Sequence, residues 1–185
     1  DIEVATPAEE LLELPVDFES TTIDYDLIGF EGAESTVVAN PDASGENTSN
    51  TVVETIKTEG AQFFAGTAMT LDVAIDFSES ESISIKTWSP KADIPVRLKL
   101  EAADPAVFVE LDVNTTVANQ WETLTWDFTG QTAGIDFVNV VVFFEFVVDL
   151  PGDGSTYYYD DIEVATPAEE LLELPVDFES TTIDY

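Results

Sequence analysis

Apolar and polar positions alternate along most of this chain in short runs, separated by clusters of Gly, Pro, Asn, Asp and Ser. That two-residue period belongs to β-strands with one covered face. Leu71–Phe77 places Leu71, Val73, Ile75 and Phe77 on one side, with Asp72 and Asp76 on the other. Ser82–Trp88 sets Ile83 and Ile85 against Ser84, Lys86 and Trp88. Pro95–Glu101 sets Val96, Leu98 and Leu100 against Arg97, Lys99 and Glu101. Val107–Val113 sets Val107, Val109, Leu111 and Val113 against Phe108, Glu110 and Asp112. Further strands are predicted at Val16–Glu19, Ser35–Ala39, Thr51–Lys57, Trp121–Phe128 and Tyr157–Val164. Val138–Val148 is apolar on both faces apart from Glu145, the pattern of a central strand covered on both sides. About nine or ten short strands with turn signals between them predict an all-β chain folded as an antiparallel β-sandwich or jelly roll.

One stretch breaks the period. Asp1–Tyr25 recurs without a change at Asp161–Tyr185, an offset of 160 residues, so the chain reads as one period and the start of the next. Inside it, Thr6-Pro7-Ala8-Glu9 is a capping box: Thr6 caps, Pro7 takes the first helical position and Glu9 reaches back. Pro15 makes Leu14 a stop. A short helix over Pro7 to Glu13 is therefore expected as a joint between modules, defined by Thr6, Pro7, Glu9 and Pro15. Residues 1–5 are then the last strand of a preceding module and 6–14 the joint. The complete sandwich is 15–164, the joint recurs at 165–174, and 175–185 begins the next module.

Composition narrows the function classes. Apolar residues make up 44% of the chain, enough for a real core, and 39 acidic residues face 5 basic ones for a net charge of −34. Nucleic acid, which is held by clustered Lys and Arg, is excluded as a partner, and an anionic membrane is disfavoured. No apolar run reaches the roughly 18 residues of a spanning helix. With no His and no Cys, the usual general base, transition-metal ligands and disulfides are missing. Carboxylate pairs carry no signal among so many acids, so the chain is read as non-catalytic.

PVDFE near the start, the NPDASGEN loop, KTWSPKADIPVRLKLE, WETLTWDF and the closing YYYDDIEV together resemble the galactose-binding-like jelly-roll modules of bacterial carbohydrate-binding and surface proteins. The resemblance covers about residues 14–164 and implies the sandwich fold and an exported location. It also implies a structural Ca2+ between an acidic residue of the first strand and an Asp of the last, here Glu19 and Asp160. Asp42 and Asn47 of the loop would complete the hard oxygen shell that Ca2+ requires. Related modules bind glycans on a concave sheet face.

The basic residues are Lys57, Lys86, Lys91, Arg97 and Lys99. Lys86 and Trp88 share one strand face, while Arg97, Lys99 and Glu101 share another. An aromatic ring to stack on a sugar, flanked by charged hydrogen-bonding groups, is the chemistry of glycan binding. The competing reading is cross-strand pairing of Arg97 and Lys99 with Glu110 and Asp112, with Trp88 merely packing. Trp121, Trp126, Phe63, Phe64, Phe143, Phe144 and Phe146 are expected in the core.

Two functions follow. The first is a repeat module of an extracellular bacterial fibre or adhesin in a saline setting, stacked on identical neighbouring modules of the same chain or of head-to-tail subunits. The second is a carbohydrate-binding module that recognises a polysaccharide through a Trp/Arg/Lys sheet face. The two coexist if weak sites in an array gain avidity.

Overall fold

The structure, a computed structural model, describes residues 10–165. Ten strands form: β1 (Ile28–Phe30), β2 (Ala33–Ala39), β3 (Thr51–Lys57), β4 (Gly66–Thr70), β5 (Ser82–Trp88), β6 (Pro95–Ala102), β7 (Phe108–Asn114), β8 (Trp121–Asp127), β9 (Phe137–Phe144) and β10 (Thr156–Val164). They make two five-stranded antiparallel sheets, ordered β1-β4-β9-β6-β7 and β2-β3-β10-β5-β8. The chain is an all-β sandwich of the jelly-roll kind.

The core lies where the alternation puts it. Val96, Leu98 and Leu100 of β6 face Ile83 and Ile85 of β5, Leu124 and Trp126 of β8, and Tyr157 and Tyr159 of β10 across the sandwich, all buried. Trp126 closes its one polar atom by donating from Nε1 to the Val96 carbonyl at 3.2 Å, so a large ring is buried with no unmet donor. Lys57 is buried as well, and its ammonium donates to the carbonyls of Phe63, Phe144 and Glu145 at 3.0, 3.1 and 2.9 Å.

Several sequence expectations are corrected. No helix occurs among the described residues, and Glu10–Leu14, the described part of the expected joint, is irregular. Thr6, Pro7 and Glu9 lie outside the described residues; Pro15 follows a cis peptide bond from Leu14. Val16–Glu19 is a single bridge to Ile162 rather than a strand, because Phe18 turns into the left-handed region at φ 54° and ends the pairing.

Leu71–Phe77 is not a strand either. Its amides are spent one by one, Leu71 on Val138, Asp72 on Leu12 and Ile75 on Phe137, so no ladder forms and Val73 is left exposed. The strand of that region is β4, just upstream. The strand expected to run to Val148 stops at Phe144, where Glu145 takes φ 51°. Val147 and Val148 beyond it are exposed.

Candidate functional site

The outer face of the β1-β4-β9-β6-β7 sheet is built from cross-strand rows. Arg97 lies between Phe143 and Asp112, and Lys99 lies between Val141 and Glu110. Ala68 follows Val141 on the other side and Ile28 follows Ala68. Although they point away from the core, Val141 and Phe143 are buried, with Lys99 and Arg97 of β6 beside them on one flank. Gly66 has no side chain to stand beside them. A Cβ there would sit 2.7 Å from Phe143 Cδ1 and 2.9 Å from the Val142 carbonyl oxygen, so the Phe143 ring lies across Gly66.

The aromatic floor continues from ring to ring. Phe143 meets Phe30 edge-on at 5.7 Å and Phe146 at 5.5 Å, and Phe146 meets Phe63 at 5.4 Å. The result is an open cleft of about 440 Å³ with Phe30, Phe64, Phe143 and Phe146 as its apolar surface and Arg97, Lys99, Glu101 and Glu110 as its polar one.

The charges in the cleft hold one another. Arg97 is forked on Asp112, Nε to Oδ1 at 2.6 Å and Nη2 to Oδ2 at 2.9 Å, and gives Nη1 to Glu110 at 2.8 Å. Its guanidinium lies 3.8 Å over the Phe146 ring, and the Asp112 hydrogen bonds raise its pKa. Lys99 pairs with Glu101 at 2.7 Å and sits 4.1 Å over Phe108. Two cations against Glu101, Glu110 and Asp112 leave the cleft close to neutral, in a chain that is strongly acidic elsewhere.

Trp88 and Lys86 belong to the other sheet, on β5, so the expected single face of Trp88, Lys86, Arg97, Lys99 and Glu101 does not exist. Trp88 forms an outer row with Trp121 on β8 and Tyr158 on β10, and the loop 40–50 covers it. Trp88 Nε1 donates to Asp42 Oδ2 at 3.3 Å and Trp121 Nε1 to the Asp42 carbonyl at 2.8 Å. Tyr158 meets Trp88 edge-on at 5.5 Å and donates its hydroxyl to Glu54. Lys86 pairs with Asp161 at 2.6 Å. Trp121 is buried under this loop, outside the main hydrophobic cluster between the sheets.

The four expected calcium ligands fall around the same loop. Asp160 is fully buried; Asn47 Nδ2 donates to its Oδ2 at 2.9 Å, while Oδ1 is the one buried side-chain oxygen among the described residues with no partner. Burial pushes the Asp160 carboxyl up to about 6, against hydrogen bonds from Ser49 and Asn47. Glu19 accepts the Asn50 and Thr51 amides at 2.6 and 2.9 Å and the Asn50 side-chain amide at 3.0 Å. Those bonds, the Asn50 side chain first, hold its carboxyl below the usual range. Asn47 turns its oxygen to the Ser49 amide, and Asp42 is engaged with Trp88 and Ser44. Among the described residues no three acidic side chains converge as a metal cluster. Asp160 therefore keeps one oxygen without a donor, and the other three are occupied by N–H or O–H donors.

Residues that the sequence pattern did not place in a site complete the cleft: Phe30, which it left unassigned, Phe64, Phe143 and Phe146, which it expected in the core, and Glu110, which it expected only as a cross-strand partner. The signal was present, because the register puts Phe143 opposite Arg97. A strand apolar on both faces instead reads as core.

No protein-family model matches the chain, and no curated protein matches it. Among solved structures, the chain is similar to the family 11 carbohydrate-binding module of the cellulosomal cellulase Lic26A-Cel5E of Clostridium thermocellum. That match has 17% identity and a TM-score of 0.55, and covers 88% of this chain and 99% of that one. A family 11 module from the same organism in complex with a β-1,3-1,4-mixed-linked tetrasaccharide matches at 17% identity and TM-score 0.55, covering 84% and 94%. The CBM22-1 xylan-binding domain of Paenibacillus barcinonensis Xyn10C matches at 18% identity and TM-score 0.50, covering 89% and 100%. The fold is that of jelly-roll carbohydrate-binding modules.

Proposed function

We propose that this chain is a non-catalytic carbohydrate-binding module, and that the cleft on the β1-β4-β9-β6-β7 sheet takes a neutral polysaccharide. The carrying observation is the pairing of an aromatic floor, Phe30, Phe143 and Phe146, with a polar rim of Arg97, Lys99, Glu101 and Glu110 in one open cleft. Rings stack on the C–H faces of sugars and the rim meets their hydroxyls. Because the cations of the rim are compensated by carboxylates, sulfated or uronic chains gain no net attraction. The similar modules are named for xylan and for a β-1,3-1,4-mixed-linked tetrasaccharide, both carbohydrates.

We further propose a structural role for Ca2+ at Asp160. The ion would satisfy Oδ1, beside the loop 47–51, which bonds to Asp160 through Asn47 and to Glu19 through Asn50 and Thr51. The unchanged repeat of residues 1–25 favours a second, compatible role as one of several modules in an exported chain.

Affinity electrophoresis tests the glycan reading. Migration should slow in gels containing lichenan or xylan and stay unchanged in alginate or carrageenan. The Phe146→Ala and Lys99→Ala variants should lose most of the retardation while keeping the wild-type circular dichroism. Equal migration in every gel refutes the assignment.

A further inference from the structure

Glu10–Tyr25 is seated in a groove beside β10. β3 pairs only with Thr156–Tyr159 of that strand, and past them Val16 takes the open edge, exchanging both backbone hydrogen bonds with Ile162 at 2.9 Å each. Leu12 and Asp72 exchange a second pair, the Leu12 amide donating to Asp72 Oδ2 and the Asp72 amide to the Leu12 carbonyl, both at 2.8 Å. Leu12, Val16, Phe18 and Tyr25 are buried. Phe18 stands edge-on to Tyr159 at 5.8 Å and leans on Tyr25 at 4.9 Å. Glu19 fastens the end of the segment to the amides of Asn50 and Thr51.

Every anchoring residue of that segment is present twice. Leu172, Val176, Phe178, Glu179 and Tyr185 repeat Leu12, Val16, Phe18, Glu19 and Tyr25 at identical spacing. The chain thus carries two copies of a segment that this groove fits. The second copy is also tethered close to it: β10 ends at Val164, and only residues 163–175 separate Ile162 from Val176. Val16 lies antiparallel to Ile162, the direction in which a chain returning from the end of β10 would run. A connection of that length closes at modest entropic cost, and tethering gives the segment a high effective concentration.

We propose that this groove is a docking site for either copy, so that Glu170–Tyr185 of the same chain completes the sandwich when Glu10–Tyr25 is displaced. The sandwich is then closable from either side, and a segment lying between two successive sandwiches has a groove behind it as well as one ahead. This does not depend on the glycan assignment.

The test uses the full 185-residue chain in four forms: unaltered, Val16→Asp with Phe18→Asp, Val176→Asp with Phe178→Asp, and all four substitutions together. Thermal unfolding is followed by circular dichroism, and mass by light scattering at two concentrations. Both paired variants should remain monomeric and melt cooperatively within a few degrees of the unaltered chain. The fourfold variant should lose at least about 10 °C, as expected when aspartates displace two buried apolar anchors. A Val16→Asp/Phe18→Asp variant that melts as low as the fourfold one overturns the proposal. The same variant folded but dimeric, with a melting point that rises with concentration, overturns docking within one chain and gives the groove to a second molecule.

Discussion

Lys57 and Asp160 show how single residues set the behaviour of this sandwich. The Lys57 ammonium is buried under three carbonyls, and burial lowers its pKa. It ties the turn before β4 to the end of β9. Lys57→Met keeps the volume and leaves those carbonyls without a donor, so we expect a loss of about 3 kcal/mol, or roughly 10 °C in Tm by calorimetry. Asp160 poses the opposite problem, a buried carboxylate with one unmet oxygen. At pH 7, adding Ca2+ should raise Tm by several degrees over EGTA, and Asp160→Asn should abolish the difference. An unmoved Tm removes calcium from the account. Neither residue announces itself in the alternation. Lys57 reads there as a strand-end surface lysine, and only the turns folding back over it make it a core group.

Among the elements, β9 decides the shape of the cleft. Its inner residues Val140, Val142 and Phe144 join the core, and its outer residues Val141 and Phe143 form the floor. The Phe143 ring lies over Gly66 of β4, so Gly66→Ala forces a Cβ against the ring and a carbonyl oxygen. We expect a cost of about 2 kcal/mol and weaker retardation on lichenan, because the displaced ring tilts the floor. Alternation made β5, β6 and β10 legible, since each has one face in the core and one outside. It failed at Leu71–Phe77, where an alternating run follows the sandwich edge and gives its amides to separate partners. It also overran β9, because Phe146 and the valines after Glu145 continue the apolar pattern while the backbone turns away at φ 51°.

For the whole molecule, the division of strands between sheets carries the functional argument. The sequence pairs Trp88 with Arg97 and Lys99 because they are close along the chain, yet β5 and β6 belong to opposite sheets. The turn between them crosses the sandwich, which no periodicity records. What survives of the expected site is Arg97, Lys99 and Glu101, now on a floor of phenylalanines, with Arg97 held by Glu110 and Asp112. Cross-strand pairing and ligand contact are therefore compatible roles for one face, since paired charges form a rigid rim.

Under the proposed function, the β1-β4-β9-β6-β7 cleft, and not the Trp88–Tyr158 row, receives the glycan. A titration of the ¹⁵N-labelled chain with a β-1,3-1,4-mixed-linked tetrasaccharide, read by amide chemical shifts, tests it directly. Binding in the cleft should give progressive shifts concentrated at Ala68, Arg97, Lys99, Val141 and Phe143. Shifts concentrated at Trp88, Trp121, Tyr158 and the loop 40–50, or none at any concentration, would contradict it.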